Sequence, residues 1–152
     1  MLNIPSHIPF TDVLIRLSVA MLLGGIIGYD REKDSQPAGL RTHMILVVGA
    51  CLEMNLSVNI GAAAGSDPAR LAAQVVTGIG FLGAGAIMRY GMNVKGLTSA
   101  STIWSMAIVG LAVGYGYIWI SVVSTGFILI ALTVVSWFEA KYLRTKTLKM
   151  IT

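Results

Sequence analysis

Charge is scarce in this sequence: only 12% of its 152 residues are Asp, Glu, Lys or Arg. A soluble domain carries about 25%, so a soluble globular class is excluded. There is one cysteine, Cys51, inside an apolar run, and an intrachain disulfide is therefore impossible. The four prolines stay out of the apolar runs beyond a first turn, so nothing in those runs breaks a helix. The first ten residues, MLNIPSHIPF, lack Lys and Arg. A cleaved signal peptide needs a basic start, so the first apolar run is expected to remain in the mature protein. No GxSxG, HExxH or paired-aspartate pattern is present. His43, with the Thr42 hydroxyl and Cys51 two turns along, makes no credible nucleophile set. No cofactor, metal site or enzymatic activity is expected.

What the chain does have is 55% hydrophobic residues, 17 glycines and a mean hydropathy of +0.77. These make it an integral membrane protein. The net charge of +4 comes from basic residues spread over several connections, without interleaved aromatics. A nucleic-acid partner is excluded and membrane lipid is the expected environment.

A bilayer-spanning helix needs about 20 mostly apolar residues. Five such stretches are legible, at 11–29, 42–60, 68–90, 98–114 and 118–138. Thr11 and Asp67 are plausible N-caps, with Pro68 at a first helical position. The expected fold is an all-α bundle of five transmembrane helices over residues 1–140, with a basic tail at 141–152. Lys and Arg gather at one set of ends: Arg31, Lys33 and Arg41, then Arg89 and Lys95, then Lys141, Arg144, Lys146 and Lys149. Only Arg16 and Arg70 belong to the other. With five spans, the positive-inside rule puts the N-terminus outside and the C-terminus in the cytoplasm.

Lipid gives helices no hydrophobic reason to associate, so small residues mark close packing. Span one carries Gly24 and Gly28 on its Asp12, Arg16, Ala20 row. Span three carries GIGFLGAG, whose Gly78, Gly80 and Gly83 match GxGxxG spacing. No strand precedes it, so packing through Gly80, Gly83 and Gly85 is the expectation rather than nucleotide binding. Two ionisable residues lie within spans, Arg16 and Glu53. Each would cost at least ~2.5 kcal/mol alone at the bilayer centre. At ~1.5 Å per residue they sit about 8 and 10 Å below the same edge. An Arg16–Glu53 pair between spans one and two is expected, with Asp12 pairing or snorkelling as alternatives for Arg16. A proton or cation site at Glu53 is a third reading.

The stretch DREKDSQPAGLRTH, residues 30–43, concentrates seven charged or histidine residues in fourteen positions. Asp30, Arg31 and Glu32 close span one. Pro37-Ala38-Gly39 makes a turn. Arg41, Thr42 and His43 open span two. Arg89, Asn93 and Lys95 come from the next connection on the same side. Together these residues are expected to form one functional cytoplasmic surface.

The segments GGIIGYDREKDSQPAGLRTHMILVVGA and RLAAQVVTGIGFLGAGAIMRYGMNVKGLTSASTIW resemble, in order and separation, the two signatures of the MgtC/SapB family of bacterial inner-membrane proteins. The resemblance covers residues 24–50 and 70–104. It implies a multi-pass inner-membrane regulator linked to growth in low magnesium and survival inside macrophages (virulence). Such a protein binds other membrane proteins, ATP synthase among them. By the family motif, the positions to carry over are Arg31, Glu32, Pro37 to His43, Gly80, Gly83, Gly85, Arg89, Asn93 and Gly96. Many members continue into a soluble C-terminal domain that these 152 residues do not include, so no role of that domain is carried over. The alternative function is a small magnesium or proton transporter or channel. It is the weaker reading, because magnesium prefers several oxygen ligands and Glu53 is the one carboxylate well inside a span. Thin glycine-rich helices also suggest a homodimer.

Overall fold

The structure is a computed structural model; it describes residues 8–65, 67, 69–90, 93–138 and 141, with the side chains of Met88, Arg89, Tyr90 and Asn93 outside that description. Among the described residues, five helices are long and apolar enough to cross a membrane. They are α1 (Phe10–Lys33), α2 (Leu40–Ala64), α3 (Ala69–Ala86), α4 (Leu97–Tyr115) and α5 (Ile118–Phe138). The tail from 142 lies outside the described residues.

Helices α1 and α2 run to Lys33 and Ala64, four residues past the expected ends, and two other boundaries change the reading. Helix α1 starts at Phe10, with Asp12 and Val13 donating to the Pro9 carbonyl, so Thr11 lies within the helix rather than capping it. The third span does not run to residue 90. It stops at Ala86, and Met88–Tyr90 pairs antiparallel with Asn93–Lys95 as a short hairpin. The apolar Ile87-Met88 pair extends the hydropathy pattern beyond the helix, which hides this change from a sliding window.

Helix α4 is central. More than half of its apolar window is buried, against about a sixth or less for α3 and α5. It runs parallel to α2: Gly110 lies against Val47 and Ala50, and Gly114 against Cys51 and Met54. Helix α1 offers a 3–4-spaced seam of Ala20, Leu23, Gly24, Ile27, Gly28 and Arg31. Its apolar members meet Val47, Cys51, Met106, Val109 and Val113 to form the main core. The large apolar side chains left outside, such as Leu22, Ile45, Phe81, Trp119 and Phe127, suit lipid contact. Helix α5 contains one π-helical turn, Ala131–Val135.

Candidate functional site

At the end of the bundle carrying residues 30–43, α1 outlasts its apolar stretch and carries Asp30, Arg31, Glu32 and Lys33 within its last turn. Arg31 is 4% exposed. A buried guanidinium needs acceptors, and Nε and Nη2 both donate to Asp30 Oδ2, at 3.1 and 2.5 Å. Asp34 Oδ2 lies 3.5 Å from Nη2. Glu32 turns the other way, and its Oε2 accepts the Leu40 backbone N–H at 2.6 Å. That N–H is one of the orphan donors opening α2. The carboxylate thus caps a helix that starts at Gly39 without a side-chain cap of its own. A Cβ on Gly39 would push the Glu32 carboxylate aside and so disturb this cap.

The connection between α1 and α2 is seated on the bundle. Ala38 is buried in one cluster with Ile79 of α3 and Ile103 and Ala107 of α4, and Ala86 packs beside them. The α1–α2 connection and the α3–α4 turn therefore meet at one end. Gly96 shapes that turn with φ +90, and a Cβ on it would collide with the Ala86 backbone. On the outside, Lys33, Pro37, Arg41, Thr42 and Lys95 are exposed. The side chains of Arg89 and Asn93 fall outside the described residues.

His43 is fully buried. Its Nδ1 lies 3.0 Å from the Gly39 carbonyl. A carbonyl only accepts, so Nδ1 carries the proton and Nε2 faces inward as an acceptor. Nε2 has no partner among the described residues, and neither has the buried Ser99 hydroxyl in the first turn of α4. A helical serine usually donates to the carbonyl four residues back, and for Ser99 that carbonyl belongs to Lys95, before the helix starts. Asp34 belongs to the charged stretch 30–43, whereas the sequence does not single out Ser99 as a buried member of this end.

The opposite end corrects the expected ion pair. Arg16 does not bind Glu53. Its Nη1 donates to the Gly114 carbonyl at 2.6 Å and to Asn55 Oδ1 at 3.4 Å, and no Arg16 ion pair occurs among the described residues. Arg16 meets α2 at the expected depth but on another face, because positions 53 and 55 differ by about 200° around the helix. Asn55 is 2% exposed and faces the bundle. It also donates to the Cys51 carbonyl at 2.8 Å. Gly114 sits in the last turn of α4, where carbonyls lack helical partners and the dipole favours a cation.

The glycines divide as well. A Cβ on Gly24 would lie 2.7 Å from the His43 carbonyl oxygen, and one on Gly28 would lie 2.7 Å from Leu40 Cα, so these two seat α1 on α2. Gly83 faces Ala100 at ordinary contact distance. Gly80 and Gly85 differ from that expectation: among the described residues nothing lies within 4 Å of a Cβ on either. Among the described residues no three His, Cys, Asp or Glu side chains converge as a metal site.

A family model, that of the MgtC family, matches residues 17–141. The chain belongs to the MgtC family. Protein MgtC of Brucella abortus is 44% identical over 121 residues, covering 80% of this chain and 50% of that protein. Protein MgtC of Salmonella typhimurium is 46% identical over 103 residues, covering 68% of this chain and 43% of that protein. The chain spans about half the length of the curated relatives it matches. No solved structure matches it. With five apolar helices and these relatives, it is a multi-pass membrane protein.

Proposed function

We propose that this protein is a regulator of the bacterial inner membrane that supports growth in low magnesium and survival inside host cells. It acts without enzymatic turnover, by contact with other membrane proteins, ATP synthase among them, and it works as a homodimer. The observation that carries this reading is the anchoring of the α1–α2 connection. Glu32 ties it to α2 and Ala38 buries it against α3 and α4. Lys33, Arg41, Thr42 and Lys95 are thereby displayed on a fixed frame, and a preorganised surface binds a partner with less ordering cost than a loose loop. By the positive-inside rule this end faces the cytoplasm.

A transport reading has less support. Between Arg16 at one end and Arg31 and His43 at the other, the interior is an apolar plug of Ala20, Leu23, Ile27, Val47, Met106 and Val113.

Photo-crosslinking from positions 41 and 95 in native membranes is expected to capture one membrane complex. Arg41→Ala, whose side chain is exposed, is expected to insert and fold normally and to lose support of growth at low magnesium. Full growth of cells carrying the inserted variant would reject the docking surface. Robust magnesium or proton uptake by proteoliposomes of the pure chain would favour the transporter.

A further inference from the structure

A groove of about 750 Å³ runs along the outside of the bundle between α1, α2 and α5. Its walls are apolar: Met21, Leu22 and Ile26 of α1, Leu40 and Met44 of α2, and Leu129 of α5. Polar groups appear only towards one end, where Tyr29, Asp30 and Lys33 line it, and at Thr133. From Met21 to Lys33 the α1 wall spans about 18 Å at ~1.5 Å per residue. Half of a ~30 Å hydrocarbon core is about 15 Å, the depth of a single leaflet. The groove thus has the length of one acyl chain lying in one leaflet, and its polar end falls at headgroup level.

The charges at that end select the headgroup. Asp30 is engaged by Arg31, and Glu32 by the α2 backbone. Lys33 is exposed and makes no ion pair among the described residues. At the groove's mouth the Asp30 carboxylate is held by Arg31, which leaves the exposed Lys33 ammonium as the cation that lines it, beside an exposed Tyr29, a residue type that favours the interface. On the α5 side, the π-helical turn holds Thr133, whose hydroxyl is satisfied by the Leu129 carbonyl at 2.8 Å. That wall offers no competing anion. Helix α1 is thinned at Gly25, where a Cβ would reach only Met44 at 3.8 Å, so a side chain added there would project along the groove without a backbone clash.

We infer that the α1–α2–α5 groove is a binding site for an anionic phospholipid, one acyl chain lying along Met21–Met44 and its phosphate on Lys33. This site shares Lys33 with the proposed docking surface, but lipid retention by the pure chain reads it without any partner protein, and only its placement in the cytoplasmic leaflet rests on the orientation given above.

The test uses the full chain in nanodiscs of mixed phosphatidylglycerol and phosphatidylcholine, followed by native mass spectrometry of the lipids retained after release. The wild type is expected to retain one phosphatidylglycerol in preference. Lys33→Gln should lose about fivefold of that preference, as one interfacial lysine implies, while Lys33→Arg keeps it. Gly25→Leu should lower retention of both lipids, with unchanged helicity and monodispersity as the control for folding. An unaltered lipid ratio in Lys33→Gln would overturn the headgroup assignment. Full lipid retention in Gly25→Leu would overturn the groove. Loss of a dimer rather than of lipid in Gly25→Leu would make the groove an interface between copies and also overturn the proposal.

Discussion

Arg16 shows how a single ionisable group decides the economy of a membrane helix end. Its guanidinium satisfies a carbonyl that α4 leaves open at Gly114 and an amide that α2 presents at Asn55. Removing it leaves both acceptors unpaired, and a lost hydrogen bond from a charged group costs about 1.5–3 kcal/mol. Arg16→Met is therefore expected to lower stability by about 2 kcal/mol in chemical denaturation in mild detergent. Glu53→Gln should cost less than about 1 kcal/mol, because Glu53 makes no ion pair among the described residues. A double-mutant cycle separates the two arrangements. Coupling is expected between Arg16 and Asn55 and near zero between Arg16 and Glu53; strong coupling to Glu53 would restore the ion pair. At the other end, Glu32→Gln weakens a charged cap and is expected to cost about 1 kcal/mol by the same melt.

Helices respond according to which of their faces is occupied. The α1 seam brings backbone against backbone at Gly24 and Gly28, so a side chain there must push α1 off α2. Gly24→Leu is expected to abolish the monodisperse folded peak on size exclusion. Gly80→Leu adds a larger group where nothing lies within 4 Å among the described residues, and the protomer should fold. If copies associate through the open α3 face, as the proposed homodimer permits, the same variant should shift blue-native mass from dimer to monomer. Retained dimer mass would place the interface elsewhere. These contrasts also mark what the sequence could reveal. Hydropathy exposed all five spans, because lipid demands a continuous apolar run of fixed length. It overran α3, because Ile87 and Met88 are apolar yet leave the helix for a hairpin. Glycine content marked small faces, but Gly28 and Gly80 read alike until a neighbouring helix is placed against one and not the other. Depth along a helix was legible for Arg16; azimuth was not, so Glu53 was chosen where Asn55 binds. The polar end was legible as a set of residues. Its internal order was not: the Arg31–Asp30 pair, the Glu32 cap and the burial of His43 depend on side-chain directions that only the assembled bundle fixes.

The whole molecule has two chemically unequal ends, and its function turns on which one meets the cytoplasm. One end gathers Arg31, Lys33, Arg41 and Lys95 around the seated connection, while the other holds Arg16, drawn onto the α4 terminus, and an exposed Arg70. Flanking Lys and Arg resist translocation, so the crowded end should stay inside. The chain carries its own control for measuring this. Cys51 is its one cysteine and is fully buried, so it should stay silent to maleimide while the fold is intact. Arg41→Cys and Ala63→Cys place thiols at exposed positions on opposite ends of α2. An impermeant maleimide added to intact spheroplasts is expected to label position 63 and spare position 41, and lysis should open both. Labelling of 41 alone in intact cells would turn the basic end outward and remove a cytoplasmic partner from the proposal. Equal labelling of both would mean that the charge difference, though large in number, is too evenly buried or paired to set one orientation. The Arg31 pairing with Asp30 and Asp34 neutralises one cation at the crowded end. Lys33, Arg41 and Lys95 remain exposed to set the bias, and Lys33→Glu combined with Arg41→Glu should therefore weaken it, raising the labelled fraction at the inner end in the same assay.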